Sequence, residues 1–173
     1  MTRVIGKRYG RRVALVLALL APLTCALPQL EPRAWAAERV QLAVFVAKDS
    51  PVQALKLTEL RRIFTNADDS GFSGQRSTPF NHPARSTDRV GFDQTVLHMS
   101  PEEVSRFWID RKIRGLPGPP RAVDSLSQLL HLVARSAGGI GYARPAQITN
   151  EVRVIRIDGK RPGDAGYALQ FDE

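Results

Sequence analysis

The segment Asn81-His82-Pro83-Ala84-Arg85-Ser86-Thr87-Asp88-Arg89 concentrates the groups best able to hold a small anion. Ser86 or Thr87 is suited to cap a helix running to about Leu97. The first turn of such a helix leaves backbone N–H groups without helical partners, and its dipole favours negative charge there. Hydroxyls from Ser86 and Thr87 and guanidinium groups from Arg85 and Arg89 add donors beside that turn. His82 adds charge when protonated. The bland reading is a capped helix with solvated arginines, in which Asp88 already complements the dipole.

Other chemistry finds less support. His82, His98 and His131 have no mutual ligand spacing and no nearby paired carboxylates, so no metal site is expected. Ser86, His82 and Asp88 are close in sequence, but no nucleophile-elbow motif accompanies them, and no catalytic residues are assigned. Asp68-Asp69 lacks the ligand alternation of a calcium loop and reads as a solvated turn. Trp108 sits at helical spacing and reads as core. An enzyme is not expected, and no cofactor is implied.

The elements that would position the anion site alternate between strand and helix. Residues 40–47 read as a strand buried on at least one face, with Val40, Leu42, Val44 and Val46 opposite Phe45. A short helix is expected over Thr58–Phe64 with Thr58 as its cap, and a polar Gly-rich loop over residues 65–76. Residues 77–81 read as a strand that Pro79 pushes toward an edge or a strand end. Ser100-Pro101-Glu102-Glu103 is a capping box with proline at the first helical position, turning Val104, Phe107 and Trp108 inward. Residues 114–120 can be neither helix nor central strand. Asp124 or Ser125 opens a helix whose Leu126, Leu129, Leu130, Val133 and Ala134 share a face, ended by Gly138-Gly139. Residues 140–143 and 152–157 read as further strands, and the chain from Asp158 as a loop-like C-terminal tail. This alternation predicts an α/β sheet covered by helices.

Residues 1–36 stand apart. Arg3, Lys7, Arg8, Arg11 and Arg12 precede an apolar run from Val13 to about Leu27, followed by Ala34-Trp35-Ala36, the order of a secretory signal peptide cleaved after Ala36. Pro22 and Pro28 break the run short of the ~18–20 residues a span needs. The residues before Cys25 do not form a lipobox, and Arg11-Arg12 leaves the export route, general secretory or twin-arginine, open. The leader carries six of the Lys and Arg residues and one Glu, so the net charge of +8 falls to +3 over residues 37–173. Mild positive charge suits an anion, and no nucleic-acid motif accompanies it. The single Cys leaves with the leader, removing thiol chemistry from the mature part.

Several stretches, in order, resemble the phosphate-binding type of periplasmic solute receptor that serves ABC importers. Lys48-Asp49-Ser50-Pro51-Val52 is similar to the turn after its first strand, and Leu57-Thr58-Glu59-Leu60 through Ile63-Phe64 to the helix that follows. Pro79-Phe80-Asn81 followed by Ser86, Arg89 and Phe92 resembles the strand, ligand loop and helix of its phosphate site. Phe107-Trp108, Gly115 and Pro119-Pro120 resemble a segment of its short members, and Gly139-Ile140-Gly141-Tyr142 its G-x-I-G-Y strand. The ligand loop departs from the pattern: Asn81 or His82 stands where the family has Arg, and Ala84 where it has a carboxylate, while Ser86 matches. The tryptophan before that strand is also missing, with Phe72 the nearest substitute.

The resemblance covers nearly all of residues 37–173 and one lobe of the two-lobed receptors. It implies a single periplasmic-binding-protein-like lobe, a mixed sheet flanked by helices. The implied function is periplasmic binding of phosphate or a similar oxyanion by Asn81, Arg85, Ser86, Thr87, Asp88 and Arg89. An ABC importer, a second lobe or a dimer mate would be the partner, with no nucleic acid and no membrane span after cleavage. The alternative is a periplasmic protein-interaction module of the same fold that has lost its ligand.

Overall fold

The computed structural model describes residues 39–66, 71–72 and 75–173. The expected leader, with its expected cleavage site and Cys25, and the pair Asp68-Asp69 lie outside the described residues. In chain order the elements are β1 (Arg39–Gln41), β2 (Ala43–Ala47), β3 (Ala54–Leu55), α1 (Leu57–Thr65), β4 (Gly71–Phe72), β5 (Gln75–Arg76), β6 (Thr78–Asn81) and α2 (Thr87–Phe92). There follow α3 (Pro101–Ile113), β7 (Arg121–Ala122), α4 (Leu126–Arg135), β8 (Gly139–Ala143), β9 (Val152–Val154), β10 (Arg156–Ile157) and β11 (Gln170–Asp172).

Five strands form the central sheet in the order β7-β6-β8-β2-β9. β6 runs parallel to β7 and β8, and β2 antiparallel to β8 and β9, so the sheet is mixed. Every residue of β2 and β8 is buried, as expected of strands covered on both faces. Period-two alternation divides the core. Val44 and Val46 of β2 point into one cluster with Leu60, Ile63 and Phe64 of α1, Phe92 and Val104. Phe45 points into the other, against Leu129, Leu130 and Val133 of α4. The α/β reading and the two-sided burial of the first long strand therefore hold.

Local chemistry sets the helix starts. Ser100 Oγ accepts from Glu103 N while Glu103 Oε2 accepts from Ser100 N, the reciprocal pair that the sequence encodes. Ser86 caps α2. α1 differs in detail: it begins at Leu57 with Lys56 at the cap position, whose N–H is taken by Glu59, so Thr58 lies inside the helix. α4 ends before Gly138, whose φ of +69° a side chain would strain, and whose missing Cβ would sit 1.9 Å from the Arg76 carbonyl oxygen.

Several expectations are corrected. The first strand breaks at Leu42, whose N–H leaves the central sheet to donate to Leu169 O. The segment 65–76 contains a two-residue antiparallel pair, β4 with β5. β6 is an interior strand despite Pro79. Thr78 N donates toward β8, to Gly138 O, so Pro79 presents its missing N–H on the opposite side, where β7 pairs only Phe80 and Asn81. The helix from Ser86 ends in a π-helical turn over Asp93–Leu97, closed by His98 in the left-handed region. On α3 only Val104 is buried; Trp108 packs partly against the core, and Ile109 and Ile113 are exposed. Segment 152–157 is two strands, because Arg156–Ile157 turns to pair with β3. The tail is mostly turns, but it ends in β11, which pairs antiparallel with β1, and it buries Tyr167 and Leu169.

Among the described residues, no helix is long and apolar enough to cross a membrane.

Candidate functional site

β6 ends at Asn81, and the chain turns through Pro83–Arg85 into α2, placing the six candidate residues at one end of the sheet. Their side chains do different things. Asn81 is buried, and its Oδ1 accepts from the hydroxyl of Tyr142 at 3.1 Å. His82 is buried beside it, with Nε2 2.8 Å from the Tyr142 carbonyl oxygen. Burial pushes the Tyr142 phenol well above its ordinary range, so it serves as a neutral donor that orients Asn81. Its ring stacks on Phe92 at a centroid distance of 3.8 Å, which ties the strand end to the base of α2.

Ser86 Oγ donates to Pro83 O at 2.9 Å and accepts from Arg89 N at 3.3 Å, closing the turn. Asp88 accepts from Arg144 Nε at 2.9 Å, and Arg144 also reaches Glu173. These two partners, Glu173 foremost, hold the Arg144 guanidinium even more firmly protonated than usual. Thr87 and Arg85 are exposed. Arg89 is buried, and its Nε donates to Asp93 Oδ2 at 2.6 Å. Desolvation raises the Asp93 carboxyl above its ordinary range, more than Arg89 pulls it down.

A cavity of about 710 Å³ opens beside this turn. Arg85 and Arg89 line it together with Asp93, Arg106, Trp108 and Pro119. The fold thus brings Arg85 and Arg89 to one cavity and commits Asn81, Ser86 and Asp88 to internal bonds. Ser86, His82 and Asp88 form no relay, since each is bonded to a different partner. Among the described residues no group of His, Cys, Asp and Glu is arranged to hold a metal ion.

Three residues at this site were missed by the sequence reading. Asp93 was within reach, because Arg89 and Asp93 stand at i, i+4 spacing on one helix. Trp108 was seen as core, but its place in the cavity wall depends on how α3 packs. Arg144 lies far along the chain, and no local signal links it to Asp88.

No protein-family model and no curated protein matches the chain. Solved structures do match. An ABC-type phosphate transport receptor from Vibrio cholerae superposes with a TM-score of 0.60 at 19% identity, covering 76% of this chain and 54% of the receptor. A putative phosphate ABC transporter substrate-binding protein with bound phosphate from Clostridium perfringens gives 0.60 at 20% identity, with 78% and 54% covered. PstS from Borrelia burgdorferi gives 0.58 at 10% identity, with 78% and 55% covered. The chain has the fold of one lobe of these receptors, a mixed α/β sheet flanked by helices, and spans about half their length.

Proposed function

We propose that this chain is an exported, non-catalytic binding lobe that takes phosphate or a similar oxyanion at the start of α2, in the service of ABC-type uptake. The observation that carries the reading is the meeting of Arg85 and Arg89 at one cavity beside the Ser86 turn. In that turn Ser86 occupies the Arg89 N–H, while those of Thr87 and Asp88 have no helical acceptor. Two guanidinium groups and a helix start offer an oxyanion several charge-assisted donors. The likeness to phosphate receptors supports the same ligand class, and the leader reading supports delivery to the periplasm. Calorimetric titration of the purified protein with phosphate and with sulfate tests it. Heat of binding to either supports the reading, and none from both up to about 100 mM ligand, well above the weakest expected dissociation constant, overturns it.

A second reading, an interaction module that has lost its ligand, draws on two facts. Asn81, Ser86 and Asp88 are already bonded within the protein, and α3 exposes Ile109 and Ile113, with Leu116 just beyond it. The same titration separates the two.

A further inference from the structure

Among the described residues, the large apolar side chains left exposed are Ile109, Ile113 and Leu116, at 57%, 80% and 46%. All three belong to one surface. Ile109 and Ile113 stand one turn apart on α3. Leu116 and Ile109 wall a groove of about 480 Å³ together with Trp108 and Pro119. Leu116 is fixed there by the way α3 ends. Gly115, at φ +71°, donates its N–H to Lys112 O, and Leu116 N donates to Arg111 O, the paired closure of a helix terminus. The Arg111 side chain secures the next residue by donating to Pro117 O.

Positive charge gathers at the same place. Residues 106–121 carry five Arg and Lys against Asp110 alone, a net +4, where residues 37–173 together carry +3. Arg106, Lys112, Arg114 and Arg121 are exposed. Arg106 lies one turn before Ile109, and Lys112 edges the groove, so cations flank the apolar stripe. Asp110 engages Arg114 at 3.0 Å, but both side chains are more than half exposed, and such a pair is weak. The other acids of α3, Glu102 and Glu103, sit at its far end, and Glu103 is occupied in the cap.

An apolar patch with a polar rim marks a contact with a protein or with a membrane. Three aliphatic side chains supply only a fraction of the ~800 Å² per partner that a stable protein interface buries. A second copy would bring the same positive charge against this one. A bilayer with negative lipids needs no matched area. It takes a few apolar side chains at the headgroup boundary and cations beside its phosphates. We infer that the C-terminal half of α3 and its closing turn dock this chain on an anionic lipid surface. Ile109, Ile113 and Leu116 enter the headgroup boundary, and Lys112, Arg114 and Arg121 meet the lipid phosphates. The chain lies on that surface without crossing it. None of the residues proposed to hold the oxyanion takes part, so the two readings stand or fall separately.

A single environment-sensitive fluorophore reports on this surface. In the full chain, Cys25→Ser with Ile113→Cys leaves one thiol to label. Cys25→Ser with Gln128→Cys puts the same label at an exposed position of α4, whose core contacts lie on the other face of the sheet. Both are titrated with vesicles of phosphatidylcholine alone and of phosphatidylcholine mixed with phosphatidylglycerol. The label at 113 is expected to shift to the blue on the mixed vesicles and to bind phosphatidylcholine alone at least tenfold more weakly, with the label at 128 unmoved. Adding Lys112→Glu and Arg114→Glu, checked for folding by circular dichroism, is expected to weaken binding to the mixed vesicles at least tenfold. No shift at 113 on the mixed vesicles overturns the inference and leaves this face to a protein partner. Equal shifts on both kinds of vesicle, equal shifts at 113 and 128, or undiminished binding by the double-Glu variant overturn it as well. A shift at 113 that grows with protein concentration in the absence of lipid overturns it in favour of a second copy.

Discussion

Arg89 and Asp93, one helical turn apart, form an ion pair of 2.6 Å in which each side chain keeps only 7% of its surface exposed. Removing one partner from such a pair strands the other charge in a poorly solvated place. Arg89→Ala is therefore expected to cost about 3 kcal/mol of stability, read from urea denaturation. Replacing both residues with apolar ones of similar volume is expected to recover most of that loss.

The same pair makes a pH prediction. The folded protein holds the Asp93 proton more tightly than the unfolded chain, whose carboxyl keeps the ordinary value of 3.8. The contribution of Asp93 is then fully present below that value and is lost as pH rises through the raised folded one. The stability of wild type relative to Asp93→Asn is expected to increase as pH falls from neutral toward 4, measured by urea midpoints across pH.

Ser86→Asp places a fixed carboxylate where the ligand charge is proposed to sit, while keeping a good helix cap. It forfeits the donation to Pro83 O, so a stability loss of about 1 kcal/mol is expected. Oxyanion affinity is expected to fall by more than tenfold in calorimetric titration. Undiminished binding would locate the site elsewhere.

Gly91 has a structural duty that its helix position hides. A Cβ there would lie 2.3–2.5 Å from three carbons of the Phe171 ring. Gly91→Ala is expected to displace Phe171, costing about 1–3 kcal/mol. Faster amide exchange over Gln170–Asp172 would register the loosening. Adding Phe171→Ala is expected to restore stability in part, since the clash goes with the ring.

A half-cleft leaves a bound phosphate largely in water, where charge-assisted bonds are screened. A monomeric chain is expected to bind phosphate with a Kd on the order of 0.1–10 mM, about 3–5 kcal/mol. Sedimentation and titration together check this. Micromolar binding by a monomer would mean that this chain itself covers the site.

Much of the fold could be read from local signals because those signals are local in origin. The Ser100 capping box and the i, i+3, i+4 face of α4 depend on residues within two turns of each other. β2 and β8 are apolar throughout because both faces are covered. What escaped depends on distant partners. Asn81 sits in sequence beside the ligand loop, but it is buried and Tyr142, 61 positions away, donates to its oxygen. Pro79 sits in an interior strand only because β7 begins one residue later. Nothing in Gln170-Phe171-Asp172 marks a strand until β1 supplies its register. For the site, the residue types around Ser86 were legible. The cavity was not, because Trp108 and Pro119 reach it from separate elements.

The pairing of β1 with β11 bears on how the polypeptide matures while it is being made. Leu42 needs Leu169 as its acceptor, and the Tyr167 hydroxyl donates to the Leu42 carbonyl at 2.9 Å. These bonds span nearly the whole domain in sequence, so they form only once the last segment has emerged from the ribosome. Until then, the margin of the core where Val40 and Leu42 sit lacks its cover, so the domain is sealed last at the strand it makes first.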